Sequence, residues 1–284
     1  MFNKTYLKAW IEAHKKRNEI MKKQESQIKR LYTKLASFIL NIISKYDKDM
    51  SKSQLKDLRN RIIREHKKIE KEIPKIINKN AKTFNISIIK TVSEIYKDSF
   101  KYKFEKELKD PLDIAIQKVL SGEIYKDKLS IYERLKKYSS KVNSDIETII
   151  TKGIKDGLSS YDIAKEIEKY IDPDKLKPWD WNNVYPGVNK KVDYNAQRLA
   201  RTTLNHVWQE SVKESARRNP LITHIEWRSA LIHGRTCQQC RDRHGNRYLI
   251  DEVPYDHPMG LCVMIPVVDK SLDEIARELK EKYK

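Results

Sequence analysis

Three cysteines and one histidine near the end of the sequence carry its clearest chemical signal. Cys237, Cys240, His257 and Cys262 form the pattern C-x2-C-x16-H-x4-C, and these are the only three cysteines in the 284 residues. Two thiolates spaced by two residues in a turn can face one point. A second pair on a later turn can complete the tetrahedron that Zn²⁺ takes with sulfur and nitrogen ligands. Because all four ligands would come from the protein, the pattern predicts a closed, structural zinc site.

The same residues allow other ligand sets and other uses of the thiols. His233 and His244 are rival fourth ligands, and Asp256 is a further one. Reduced thiols without a metal, or a redox pair formed by Cys237 and Cys240, also fit the pattern. No βαβ pattern flanks the C-x-x-C, which disfavours thioredoxin-like chemistry. The sequence leaves these alternatives open.

Acidic residues and a histidine surround the cysteines, and such residues can bind Mg²⁺; they are Asp242, His244, Asp251, Glu252 and Asp256. In a loop this polar, they are more often turn formers and exposed charges. The sequence contains no G-x-S-x-G, no glycine-rich phosphate loop and no H-E-x-x-H. We therefore expect no catalytic residues, no small-molecule substrate and no enzymatic activity.

The elements that must position the cluster are a helix and short strands. An amphipathic helix is predicted from Tyr194 to about Arg218, with strand candidates over 222–229, 247–250 and 262–268. Trp227 is the expected core residue of this small β module. The helix carries a line of polar and aromatic residues: Arg198, Arg201, Thr202, Asn205 and Trp208. They form either an exposed basic face, or a set in which buried Arg201 and Asn205 hydrogen-bond the cysteine loops.

The remaining sequence is helical and, at its start, strongly basic. Residues 1–110 hold 29 of the 59 Lys and Arg but only 14 of the 40 Asp and Glu, and the first glycine is Gly122. Helices are predicted from Tyr6 to Tyr46 around a polar stretch at 15–29, from Ser53 to a break at Pro74, and from Ile76 to Leu108 before Pro111. Basic faces with aromatic residues fit non-specific binding to double-stranded DNA, although such faces are commonly only solvated.

The fold class is therefore mainly α: a long N-terminal helical region followed by a small α+β C-terminal module with a Cys/His cluster. The predicted segments are a basic helical arm or bundle (1–110), a helical region (111–171), a linker loop (172–192) and the α+β module (193–284). A helix starting at a Ser159–Ser160 cap and a terminal helix over 272–283 complete the expectation.

Composition excludes several classes of protein. The formal net charge of +19 favours a polyanionic partner. Three cysteines cannot form the disulfide framework of a small secreted domain. No window of about 18 apolar residues predicts a membrane span, and MFNKTYLKAW lacks the apolar segment of a signal peptide. We expect a soluble, cytosolic chain that has no membrane partner.

The order of the motifs resembles the phage head morphogenesis family, the minor head proteins that include the Mu F-type proteins. The resemblance covers roughly residues 110–268, and its length and asymmetry make it specific. The motifs are A-R-T-T-L-N-H at 200–206, W-R-S-A-L-I-H-G-R-T-C-Q-Q-C at 227–240, H-G-N-R-Y at 244–248, P-Y-D-H-P at 254–258 and Cys262, preceded by G-I-K-D-G-L-S-S-Y-D-I-A-K-E-I at 153–167. They contain Arg201, Thr202, Asn205, Trp227, Arg235, Gly245 and Pro258.

The sequence departs from the family pattern at two places. His233 stands in the approach to R-T-C where the family commonly has Asp, and Gly260 replaces one cysteine of the usual H-P-x-C-R-C ending. The resemblance implies a non-enzymatic minor capsid protein that associates with the portal and other capsid components and acts in virion assembly. It also implies a place inside the capsid, in the host cytoplasm during assembly, and a possible role in DNA packaging or ejection. The alternative is a zinc-containing DNA-binding protein or a metal-dependent nuclease.

Overall fold

The computed structural model describes residues 4–46, 49–94, 98–175, 188, 192–234, 236–268, 274 and 277. Over these residues the chain forms seven helices and one three-stranded sheet. The helices are α1 (Lys4–Ile43), α2 (Lys52–Ser93), α3 (Asp98–Leu120), α4 (Ile131–Lys155), α5 (Ser160–Ile171), α6 (Tyr194–Arg217) and α7 (Gln238–Arg243). The strands are β1 (Ile222–Arg228), β2 (Arg247–Leu249) and β3 (Val263–Val268). The predicted fold class, mainly α with a small C-terminal α+β part, is confirmed.

Helix α1 runs unbroken through the polar stretch 15–29. The stretch forms a helix because every third or fourth residue faces the core. Those residues are Arg17, Ile20, Met21, Gln24 and Ile28, and all five are buried. Two of these five are polar, which is why the apolar pattern alone leaves the stretch ambiguous.

Two prolines lie inside helices, contrary to the predicted helix ends. Helix α2 continues through Pro74, and helix α3 continues through Pro111. A proline inside a helix removes one backbone hydrogen bond and crowds the preceding turn. Here apolar residues on both sides of each proline are buried, so packing holds the helix together: Ile73 and Ile77 flank the first proline, and Leu108 and Leu112 the second.

Serine caps begin the next two helices. Ser130 and Glu133 form a capping box at the start of α4, which satisfies backbone N–H groups that have no partner within the helix. Ser159 accepts a hydrogen bond from the Asp162 amide at the start of α5, as the sequence predicted for this cap.

The sheet has the order β2–β1–β3, and both pairs of strands are antiparallel. Ile225 lies opposite Tyr248 on one side and opposite Pro266 on the other, so β1 is the central strand. Trp227 pairs with Met264, and both side chains are fully buried. The predicted strands over 222–229, 247–250 and 262–268 are confirmed to within one residue at each end.

The chain divides into two compact units. One consists of Met1–Lys22, Asn78–Lys128 and Arg201–Lys284, and the other of Lys23–Ile77 and Leu129–Ala200. The four predicted segments, from the arm 1–110 to the module 193–284, stay a prediction. Most of the linker 172–192, including Trp179 and Trp181, and nearly all of the terminal helix 272–283 lie outside the described residues.

The unit that contains the cysteines has a core built around aromatic side chains. Trp208 on α6 is fully buried and lies edge-on to Trp10 of α1 and Phe84 of α2, with ring centroids 6.2 and 5.4 Å away. The same cluster of buried residues includes Trp227, Cys240 and Cys262. The cysteine loops are therefore part of the core on which the first turns of α1 pack. Among the described residues, no helix combines the length and apolar character needed to cross a membrane.

Candidate metal centre

Two loop-to-element junctions present the candidate ligands. Cys237 is the residue that immediately precedes α7, and Cys240 lies in the first turn of that helix. The two-residue spacing thus places both sulfurs at one helix start, with Cys237 exposed and Cys240 buried. Cys262 immediately precedes β3 and is buried, and His257 lies in a turn closed by the Gly260 amide, which donates to the His257 carbonyl at 2.9 Å.

The ligand atoms form two overlapping groups that share Cys240. Cys237, Cys240 and His257 make one group; Cys240, Asp256 and Cys262 make the other. Within each group the ligand atoms lie within 4.8 Å of one another, and Cys237 Sγ is 3.4 Å from His257 Nε2. The two groups meet at Cys240, which brings three thiols and an imidazole together around this residue, and this donor set is typical of sites for Zn²⁺ and other thiophilic ions.

The two cysteines at the start of α7 differ in acidity. The pKa of the exposed Cys237 thiol is lowered, first by the Cys240 backbone amide, then by the Cys240 side chain and His257. Burial raises the pKa of the Cys240 thiol, and the neighbouring Cys262 raises it further. A metal ion bound here must therefore displace a proton from the inner thiol, which couples metal binding to proton release.

His257 is held at the edge of the cluster. Its Nδ1–H donates to the Pro258 carbonyl at 3.0 Å, which leaves Nε2 directed at Cys237 Sγ. This hydrogen bond is the main cause of the raised pKa of His257, and Asp256 and Cys237 add to it. A ring nitrogen that donates to a carbonyl fixes the tautomer in which the other nitrogen can bind a metal.

Asp256 orients the loop that carries His257 and Cys262. Its side chain is fully buried, and the backbone amides of His257 and Cys262 donate to its two carboxylate oxygens at 2.9 Å each. Its backbone amide donates to Gln209 Oε1 at 3.1 Å. Because its oxygens already accept bonds from both sides of the turn, Asp256 fixes the positions of His257 and Cys262 relative to each other.

Helix α6 holds the other side of this loop. Asn205 Nδ2 donates to the Gly260 carbonyl at 3.2 Å and to Asp256 Oδ2 at 3.3 Å. Thr202 Oγ1 accepts from the Met259 amide at 3.2 Å. Of the two residues expected to bind the cysteine loops, Asn205 makes this contact within the core, whereas Arg201 is half-buried on the same helix.

His206 extends the attachment by one residue along α6. Its Nε2 donates to the Asp256 carbonyl at 3.0 Å, and its Nδ1 accepts from the Tyr125 hydroxyl at 3.0 Å. The sequence analysis missed His206 and Gln209, because the identity of a histidine or glutamine does not show whether its side chain is buried and hydrogen-bonded or exposed.

Gly245 and Ser229 support the β module. The Gly245 amide donates to the Trp227 carbonyl at 2.8 Å, and Gly245 has a φ of +83° that other residues rarely adopt. Ser229, directly after β1, donates to the Cys240 carbonyl at 2.6 Å and lies 3.3 Å from Cys262 Sγ. Arg235 lies outside the described residues.

The rival histidines are placed elsewhere. His244 Nδ1 accepts a hydrogen bond from the Ser229 amide at 3.1 Å, and His233 is exposed. Within the described part of the chain, neither histidine belongs to a group of candidate metal ligands. Of the acidic residues near the cluster, Asp251 pairs with Arg217 at 2.7 Å and Asp242 accepts from Gln238 at 2.6 Å.

Arg17 is a further residue of this site that the sequence analysis did not identify. It lies on α1, in the polar stretch 15–29, and its guanidinium reaches the carbonyls of Leu261 and Cys262. The available signal was spacing: Arg17 follows Trp10 and Ala13 at helical intervals and shares their buried face.

Comparison of the chain with protein-family models, with curated proteins and with solved structures finds no match in any of the three. Conclusions about function therefore depend on the site and on the motif order of the sequence.

Proposed function

We propose that this chain is a phage minor head protein with a structural role, and that its Cys/His cluster holds a structural Zn²⁺. The observation that supports the proposal is the clustering of Cys237, Cys240, His257 and Cys262 in two groups of candidate ligands that share Cys240, with Asp256 accepting hydrogen bonds from the amides of His257 and Cys262. In the resembled family, the same motif order belongs to non-enzymatic head proteins.

A structural role for the ion follows from the number and placement of its ligands. Four protein ligands fill a tetrahedral zinc site and leave no position for a water molecule or substrate. Two of the cysteines are buried, and the ligand loops join α7, β3 and the turn at 257–260. An ion bound there would cross-link three short elements, namely α7, β3 and the turn at 257–260.

Metal analysis of the purified chain tests this part. We expect one zinc per chain by native mass spectrometry, and none in Cys240→Ser. This variant should also lose the cooperative unfolding of the C-terminal module, because structural zinc supplies folding free energy. A wild-type chain that binds no metal, or an unchanged melting profile in Cys240→Ser, would contradict a structural ion.

The proposed place of action is the interior of the procapsid, where the chain associates with the portal. The family resemblance supports this, and the basic, helical N-terminal region fits contact with packaged double-stranded DNA. The proposed activities are head assembly and a part in DNA packaging or ejection. Quantitative mass spectrometry of purified procapsids and mature heads is the test: a few copies per particle are expected, and absence from both would contradict the assignment.

A zinc-containing DNA-binding protein and a metal-dependent nuclease are the alternatives to distinguish. Plasmid DNA titrated with the protein in Mg²⁺ and Zn²⁺ reports both retardation and nicking. We expect intact DNA that is retarded only at low salt, because sequence-blind phosphate contacts weaken steeply as salt rises. Nicking that disappears in a folded His244→Ala or His257→Ala would make the loop an active site. Sequence-specific retardation at physiological salt would favour the DNA-binding protein.

A further inference from the structure

A cation from the far end of the chain lies against the candidate metal centre. Arg17 is 1% exposed and lies in the first half of α1, 245 residues before Cys262. Arginine is among the residues least often buried, and a buried guanidinium needs both hydrogen-bond acceptors and negative charge nearby. Both are present at this site.

The guanidinium binds the backbone of the ligand loop directly. Arg17 Nη2 donates to the Leu261 carbonyl at 2.9 Å, and Nη1 donates to the Cys262 carbonyl at 3.2 Å. Nη1 also reaches Asn205 Oδ1 at 3.3 Å, so the same group holds the α6 side chain that binds Asp256 and Gly260. The guanidinium carbon lies 5.7 Å from the ring centroid of Trp208.

The planar guanidinium of Arg17 fixes the backbone at Cys262, one of the candidate metal ligands. Two carbonyls bound by one guanidinium have little rotational freedom, and they belong to Cys262 and the residue just before it. The amide of the same cysteine is held by Asp256 at 2.9 Å. Both the amide and the carbonyl of Cys262 are thus anchored, which fixes the backbone from which its sulfur reaches Cys240 and Ser229.

The charge of Arg17 also suits this position. Burial lowers the pKa of Arg17 to about 10, while Asp256 and Cys262 act in the opposite direction, so the group stays protonated at neutral pH. A divalent ion bound by three thiolates beside a buried carboxylate leaves an excess of negative charge. The guanidinium offsets part of that excess in a place that water does not reach.

We propose that Arg17 is a positioning residue of the metal centre, so that metal binding and docking of the first turns of α1 on the 256–262 loop stabilise each other. The proposal rests on the metal site proposed above. Outer contacts of this kind commonly change metal affinity by 10- to 100-fold. A coupling between two sites is reciprocal: whatever α1 adds to metal affinity, the metal adds to the docking of α1.

Metal affinity of the full-length chain tests the first half of the proposal. Co²⁺ substituted into the apo protein reports tetrahedral thiolate coordination through its visible absorption, and competition with Zn²⁺ and a chelator gives the affinity. We expect Arg17→Met to weaken zinc binding by about tenfold or more and to alter the Co²⁺ spectrum. Arg17→Lys, which keeps the charge but not the fork, should recover part of the affinity.

Lys16→Met is the matched control, because Lys16 is the neighbouring cation on the same helix and its side chain is 58% exposed. It should bind zinc within about twofold of the wild type, on the expectation that exposed surface charges contribute little. Equal affinity and equal spectra for Arg17→Met and Lys16→Met would overturn the proposal.

Hydrogen exchange on the unmodified chain tests the second half and needs no variant to fold. Removal of the metal should speed amide exchange at residues 10–22 of α1 by a factor similar to the affinity loss in Arg17→Met. Amides in α4 serve as the internal control and should not change. Unchanged exchange at 10–22 would overturn the linkage while leaving the metal site standing. A wild-type chain that binds neither Co²⁺ nor Zn²⁺ would overturn the metal site, and the linkage with it.

Discussion

The carboxylate of Asp256 fills the space in which a side chain at residue 260 would lie. A Cβ built on Gly260 would be 2.1 Å from Asp256 Oδ2, far inside van der Waals contact. The carboxylate cannot turn away without losing the hydrogen bonds that it accepts from the amides of His257 and Cys262. Glycine is therefore required by packing at the position where the resembled family commonly has a cysteine.

Gly260→Ala should destabilise the module and weaken metal binding together. Forcing a methyl group into this space moves the Asp256 carboxylate, and overpacking of this kind costs about 1–3 kcal/mol. Urea denaturation followed by tryptophan fluorescence measures the free energy of unfolding. Gly260→Cys, which restores the residue common in the family, meets the same obstacle and should not improve zinc binding.

Leu261→Ala is the control for this pair, since Leu261 is the adjacent residue and is 45% exposed. Its cost should be small. In an Asp256→Ala background the penalty of Gly260→Ala should shrink, because the two residues compete for one space. Equal penalties in both backgrounds would show that Asp256 is not the obstacle.

The sequence predicts the elements of this site better than the contacts between them. The spacing of Cys237 and Cys240 predicts two sulfurs that face one point from a turn, and the structure places them at the start of the short helix α7, which the sequence analysis did not predict. The alternation around Trp227 predicts the strand β1, because this signal is local. The start of helix α5 at the Ser159 cap, and the face of that helix that packs into the core, are likewise predicted by local capping and periodicity.

The sequence does not predict which residues contact each other when they are far apart along the chain. Arg17 is an ordinary member of a polar stretch until α1 packs beside a loop 245 residues later. Pro74 and Pro111 are helix breakers by local rules, yet tertiary packing carries both helices through them. Asp256 was one rival ligand among several, and only its burial and its two amide partners show that it orients the turn.

The two loop histidines should respond differently to substitution. His257→Gln removes a nitrogen that lies 3.4 Å from Cys237 Sγ, so we expect zinc affinity to fall by at least about tenfold. His244→Gln removes an acceptor of the Ser229 amide, so it should lower stability by about 1 kcal/mol and leave the zinc content at one per chain. Native mass spectrometry and chelator competition separate the two effects. Loss of zinc in His244→Gln but not in His257→Gln would mean that His244, and not His257, is the fourth ligand.

Trp227 is predicted to contribute through its size rather than through its indole N–H. The side chain is fully buried under the Arg243 guanidinium, which lies 5.1 Å from the ring centroid, and no partner for its Nε1 is found among the described residues. Trp227→Ala should cost about 3–5 kcal/mol. Trp227→Phe keeps a ring and removes an unpaired donor, so its cost should be well under half of that. Chemical denaturation of both variants checks the order, and similar costs would point to a hydrogen bond at Nε1.

His14 should make the chain sensitive to mild acid. Its ring packs against Trp10 and Trp208, with centroids 5.7 and 5.3 Å away, and its ring nitrogens are buried without a partner among the described residues. Burial, and then the nearby charge of Arg17, lower the pKa of His14 from 6.5 to about 3. The unfolded chain keeps the ordinary pKa and so takes up a proton that the folded chain refuses.

The direction of the pH dependence follows from this difference between the pKa of His14 in the folded and the unfolded chain. Well above pH 6.5 the histidine is neutral in both states and contributes no pH dependence; as pH falls through 6.5 towards 3, stability is lost. Between pH 7.5 and 4.5 the wild type should lose about 2–3 kcal/mol more than His14→Phe, which keeps an aromatic ring in place. Both chains keep the same candidate metal ligands, so the difference between them excludes the contribution that they share from metal release. Exposed His233→Gln should follow the wild type, and parallel pH profiles for His14→Phe and the wild type would show that the His14 ring reaches water.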